Sequence, residues 1–215
     1  MLSKKMTIEA VKVMGELFPE AQCELIHENV FQLLIATMLS AQATDVSVNK
    51  VTPDLFAKFP TPMAFLAAPL EEVMAAIKSI GLYRTKATNI QKCCGRLMEH
   101  FGGEVPSGLD ELMSLPGVGR KTANVVMSVG FHIPAIAVDT HVERISKRLR
   151  IAPQKATVLE VEQILMKKLP REMWSDAHHQ MIFFGRYHCT ARNPKCEVCP
   201  LLAICADGKK RMHLK

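Results

Sequence analysis

The chain of 215 residues has little of what marks an exported, membrane-spanning or fibrous protein. Residues 1–10 carry two lysines but no apolar core, so they do not read as a secretory leader. No apolar run approaches the ~18 residues that cross a bilayer. The stretch 30–43 is interrupted by Gln32, Thr37, Ser40 and Gln42. There is no Gly-, Ser- or Pro-rich linker, no internal repeat and no low-complexity tract. Strand-like alternation is nearly absent, and the β-branched stretch 133–138 is short and broken by Pro134. These absences predict a soluble, cytoplasmic protein without a membrane partner.

The composition, 48% hydrophobic and 22% charged, is that of an ordinary globular protein with enough chain to bury a core. Lysine and arginine number 27 against 21 acidic residues, giving a net charge of +6. That excess suits a polyanionic partner without identifying one. Seven cysteines are an odd number, and four of them gather near the carboxy end. With no secretory signal, this clustering favours metal binding over disulfides.

The periodicity is helical nearly throughout. Val30, Leu33, Leu34, Thr37 and Met38 fall on one face of a helix over 29–40. Similar patterns predict helices over 45–58, 69–78, 83–101, 119–130, 140–149, 154–168 and 172–187. Pro69 ahead of Leu70-Glu71-Glu72 reads as a first-turn proline, and Ser107-Gly-Leu-Asp110 as a capping box for a helix reaching Leu115. The expected fold is all-α, with about ten short helices.

Between two of these helices lies Leu115-Pro116-Gly117-Val118-Gly119-Arg120-Lys121-Thr122-Ala123. Gly117 and Gly119 permit a tight turn that presents bare N–H groups at a helix start, where phosphate oxygen is favoured. Val118 can pack inward and pin the two helices. A plain helix connection fits the glycines equally well. Lys121 falls in the first turn, where the helix dipole disfavours a cation and makes the neutral, nucleophilic amine more accessible. A phosphate contact or a solvated lysine also fits. Asp139, emerging from Ala137-Val138 to open the next helix, is an N-cap candidate whose carboxylate could also accept a proton or stabilise nearby positive charge. At the carboxy end, Cys189, Cys196, Cys199 and Cys205 give C-x6-C-x2-C-x5-C. On spacing, an iron–sulfur cluster, zinc and free thiols all remain open. Cys23, Cys93 and Cys94 read as small buried residues, and Lys209, Lys210, Arg211 and Lys215 as a solvated tail.

Residues 115–123, the segment Val-Asp-Thr-His-Val-Glu-Arg over 138–144, and Leu-Ser-Ala-Gln-Ala-Thr-Asp over 39–45 together resemble the endonuclease III family. The resemblance runs over essentially the whole chain. It implies two helical lobes: a six-helix domain over 24–133 with a helix-hairpin-helix motif, and an iron–sulfur domain made from 1–23 and 134–215. It also implies a monomeric, bifunctional DNA glycosylase and abasic-site lyase. Its partner would be double-stranded DNA bearing oxidised pyrimidines or abasic sites, bound in a groove faced by both lobes. Lys121 would attack C1′ of the deoxyribose with Asp139 assisting, while Gly117, Val118 and Gly119 hold the DNA backbone. Gln42 and Leu82 would fill the gap left by the extruded nucleotide. His141 would contact sugar or phosphate. A 4Fe–4S cluster on the four carboxy-terminal cysteines would fix a loop presenting Arg192 and Lys195 to phosphates.

Overall fold

The computed structural model describes residues 1–214; Lys215 of the expected solvated tail lies outside them. Among the described residues the fold is all-α, with thirteen α-helices joined by short 3-10 and π segments and no strand. The chain divides into two compact units, one made of Glu24–Ile133 and the other of Met1–Cys23 with Pro134–Lys215.

Helix α1 (Lys4–Leu17) opens the discontinuous unit, and the next eight helices build the continuous one. These are α2 (Val30–Ser40), α3 (Asp45–Asn49), α4 (Thr52–Lys58), α5 (Pro62–Ala67), α6 (Leu70–Ala76), α7 (Tyr83–Phe101), α8 (Leu109–Met113) and α9 (Arg120–Val125). The expected stripe on α2 is too narrow: every residue from Gln32 to Leu39 is buried, so the helix runs through the core. Its polar groups are satisfied locally. Asn29 caps it by accepting from the Gln32 N–H at 2.9 Å, and the Thr37 hydroxyl donates to the Leu33 carbonyl at 2.7 Å. On α7 the buried positions are Lys86, Ala87, Ile90, Cys93, Cys94 and Leu97, one face of a long amphipathic helix. Gln91 Nε2 donates to the Phe65 and Ala68 carbonyls, both at 2.8 Å, which closes the end of α5 against α7. Phe65 is fully buried and packs on Phe59 and Phe31.

Three local expectations need correction. Residues 45–58 form two helices, because Pro53 sits in the first turn of α4 and cannot donate to a helix continued from α3. Pro69 is the N-cap of α6 and not its first helical residue. The N-cap of α8 is Gly108, and no side chain bonds there as the Ser107 box required.

The discontinuous unit continues with α10 (Thr140–Arg148), α11 (Val158–Lys168), α12 (Trp174–Phe183) and α13 (Ala206–Arg211). Its core gathers Val11, Met14, Ile145, Val161, Leu165, Met181 and Phe184. The amino-terminal segment is tied in by backbone and charge. The Leu2 N–H donates to the Arg150 carbonyl at 2.7 Å, and Lys168 Nζ donates to the Leu2 and Ile151 carbonyls at 2.6 and 3.0 Å. A capping box does form on α11, with Thr157 and Glu160 exchanging bonds.

Candidate active site and cysteine centre

In the continuous unit the glycine turn follows α8 and its second glycine, Gly119, caps α9. Gly117 has φ +80°, a conformation few side chains tolerate. A Cβ on Gly117 would lie 2.9 Å from the Asn89 Cβ of α7 and 3.0 Å from the Met38 Cε of α2. This glycine is therefore required by the fold. Gly119 differs: its φ of −91° is ordinary, and a Cβ there meets nothing within 4 Å. Val118 is buried between the two exposed glycines, as a pin should be. Lys121 is exposed at the second position of α9, where the first turn leaves N–H groups without intrahelical partners.

Gln42 and Leu82 lie 40 residues apart in sequence but line the same pocket, together with Gly117 and Lys86. Both are exposed, Leu82 to 61%, and both have left-handed backbones, with φ of 56° and 60°. A large apolar side chain held out in solvent on a strained backbone is costly twice over, by about 1–2 kcal/mol for the conformation alone. Such residues persist where the surroundings over-determine them.

In the discontinuous unit Asp139 is the N-cap of α10. Its Oδ1 accepts from the His141 and Val142 N–H groups at 2.8 and 2.9 Å, which fixes the direction of the carboxylate. His141 is half-buried and packs where α10 comes close to the π turn over 184–188. A Cβ on Gly185 would lie 2.8 Å from the His141 Cβ. Burial holds the His141 imidazole below its usual pKa; nearby Asp139 acts the other way. Arg144 Nη2 reaches His141 Nδ1 at 3.2 Å, the Gly185 carbonyl at 2.8 Å and the Cys189 carbonyl at 3.1 Å.

Cys189, Cys196, Cys199 and Cys205 line one pocket in the same unit. Among the described residues no three Cys, His, Asp or Glu side chains converge where one ion would sit. The donor set fits thiolates. Arg148 Nη1 donates to the Cys189 Sγ at 3.2 Å and the Gly208 N–H to the Cys205 Sγ at 3.2 Å. Burial, then repulsion between neighbouring thiolates, pushes Cys196, Cys199 and Cys205 up, so the thiolate form of these three calls for a cationic partner. Arg148 also binds the Thr190 and Ala191 carbonyls, holding the start of the loop. Arg192 and Lys195 are exposed on that loop. Cys93 and Cys94 are buried in the other unit; burial pushes the Cys93 thiol up to about 12 and raises Cys94 as well. Cys23 is only half-buried, contrary to expectation.

Sequence reasoning assigned nothing to Lys86, Arg144 or Arg148. The signals were present. Lys86 interrupts an otherwise apolar face of α7, and Arg144 and Arg148 share one face of α10 four residues apart. No helix of the described residues is long and apolar enough to cross a membrane.

Comparison with known proteins converges on one group. Residues 35–171 match the profile described as HhH-GPD superfamily base excision DNA repair protein, and residues 189–205 match the iron-sulfur binding domain of endonuclease III. Endonuclease III of Bacillus subtilis is 58% identical over 211 residues, covering 98% of this chain and 96% of its own. Endonuclease III of Escherichia coli K12 is 47% identical over 209 residues, covering 97% and 99%. A solved endonuclease III–DNA complex, trapped as a covalent intermediate, superposes with a TM-score of 0.96 at 60% identity, covering 99% of this chain and 100% of that one.

Proposed function

The chain belongs to the endonuclease III family of base excision repair enzymes, DNA glycosylases that also cleave at abasic sites, and on that premise we propose that it acts on oxidised pyrimidines in double-stranded DNA with Lys121 as nucleophile. The observation that carries this reading is an exposed lysine one residue into the helix that opens at the Gly117–Gly119 turn. The turn supplies N–H groups for the DNA backbone next to the lysine, so phosphate binding and attack on the sugar draw on one short segment.

The chemistry follows from the residue types. The lesion nucleotide leaves the stack, and Gln42 and Leu82 occupy the gap, Gln42 offering both donor and acceptor to the unpaired partner base. The neutral Lys121 Nζ forms a bond to C1′ while the C1′–N bond to the base breaks, the electron pair leaving with the base, which takes a proton. Loss of a proton from nitrogen and opening of the C1′–O4′ bond give a Schiff base. Removal of a C2′ proton then expels the 3′ phosphate, cutting the strand, and water releases the lysine. The carboxylate of Asp139 stabilises positive charge on the sugar and takes up a proton. Its tie to two backbone N–H groups keeps it aimed.

The cofactor is an iron–sulfur cluster, of the 4Fe–4S type, and Cys189, Cys196, Cys199 and Cys205 would hold it. When bound, the cluster cross-links four points of an otherwise irregular segment. Arg192 and Lys195 on that segment, and His141, serve as DNA contacts in this reading, the first two to phosphate. Residues 24–133 act as the helix-hairpin-helix domain and the remainder as the cluster domain of a monomer working in the cytoplasm, associated with the nucleoid in a bacterium.

Borohydride reduction tests the proposal. With a duplex containing thymine glycol, the wild-type protein gives a covalent adduct, and Lys121→Gln gives none while still retarding the DNA. Persistence of the adduct in Lys121→Gln would remove Lys121 from the mechanism. Preference for an oxidised purine would overturn the substrate class.

A further inference from the structure

Lys86 touches both strained turns of the candidate site. Its backbone N–H donates to the Leu82 carbonyl at 3.0 Å. Its Nζ donates to the Leu39 carbonyl at 2.8 Å and to the Ala41 carbonyl at 2.7 Å, the latter in the residue immediately before Gln42. The residue is 7% exposed, an unusual place for an ammonium group, and burial holds its pKa below the ordinary lysine range.

The placement has a clear electrostatic logic. The last carbonyls of a helix lack intrahelical partners and carry the negative end of the helix dipole. Lys86 caps α2 from another helix and fixes the peptide planes that lead into Gln42. A methylene stem in the same place would fill the space and leave those carbonyls without their donor.

We propose that Lys86 is a positioning residue for base extrusion, coupling the Gln42 and Leu82 turns so that both side chains enter the duplex as one preformed wedge. This rests on the reading of Gln42 and Leu82 as the gap-filling pair. Without the ammonium group the residues 41–43 relax from the left-handed conformation at Gln42, while Leu82 keeps its own turn. Insertion then needs ordering of one side at the moment of extrusion, and the rate falls even though the reacting groups are intact.

The test uses Lys86→Met in the full-length holoenzyme and compares two substrates. One is a lesion duplex with 2-aminopurine beside the lesion, which reports extrusion by fluorescence. The other is an abasic site in single-stranded DNA, where nothing has to be extruded. The expected result is a loss of about tenfold or more in the extrusion rate relative to the single-strand rate. Equal losses on both substrates, or no loss on the duplex, would overturn the inference. Lys86→Arg serves where Lys86→Met does not fold: a larger, planar guanidinium replaces a compact ammonium group in a buried place and does not reproduce its geometry. The same separation is expected, about threefold, and its absence would count equally against Lys86. Gln42→Ala with Leu82→Ala run alongside keeps the two failures apart. If that pair leaves extrusion unchanged, the reading of the site fails; if it slows extrusion and the Lys86 variants do not, only the coupling fails.

Discussion

Two glycines a residue apart should respond in opposite ways to the same added methyl group. At Gly117, alanine would be forced into φ +80° and would set its Cβ 2.9 Å from the Asn89 Cβ, a backbone-proximal atom that cannot swing aside. The conformation costs about 1–2 kcal/mol and the overlap about 1–3 kcal/mol, so Gly117→Ala should lose about 2–5 kcal/mol. For a chain of this size that is a fall of about 4–20 °C in Tm. At Gly119 the backbone is ordinary and the space open, so the change in stability should stay within about 0.5 kcal/mol, a weaker cap set against a less flexible unfolded chain. What the added methyl would obstruct is a phosphate drawn close to the turn. Gly119→Ala should therefore keep the wild-type Tm and lose about tenfold in duplex affinity at fixed salt, read by thermal melting and fluorescence anisotropy. Unaltered affinity with unaltered stability in Gly119→Ala would refute the hairpin as a phosphate site. Equal melting losses at both positions would refute the packing argument.

Other expectations follow from the same geometry. Wild-type protein should contain about four iron atoms and four sulfides per chain, and Cys199→Ser should lower both; stoichiometric zinc without iron would reject the cluster. Leu82→Ala truncates a residue that is 61% exposed, so it should leave stability within about 0.5 kcal/mol of wild type and slow base extrusion far more than nonspecific binding. Acid should weaken the discontinuous unit. His141 and His179 are held below their usual pKa, chiefly by burial, so the unfolded chain binds more protons than the native one below the unfolded value of about 6.5. Their contribution is complete above that pH and is lost as pH falls toward the folded values, so urea midpoints measured from pH 7 to 5 should decline, and less steeply in His179→Gln.

Helical class was legible because periodicity in α7 and α10 follows directly from which face is buried. Element boundaries were less so. Pro53 splits a run whose apolar spacing continues across it, and Gly108 displaces a serine that had the right spacing for a cap. For the site, residue types at Lys121, Asp139 and the four cysteines pointed to chemistry from sequence, whereas Gln42 and Leu82 looked ordinary. Their distinguishing property, a left-handed backbone under an exposed side chain, is conformational and has no compositional trace. Lys86, Arg144 and Arg148 act through carbonyls 41–47 residues distant, a relation that only folding creates.

Peptide mapping of the borohydride-trapped adduct addresses the central claim most directly. Digestion and mass spectrometry should place the sugar remnant on Nζ of Lys121, within the segment that follows the glycine turn. A remnant on another lysine or on the terminal amine, in wild-type protein, would contradict the account.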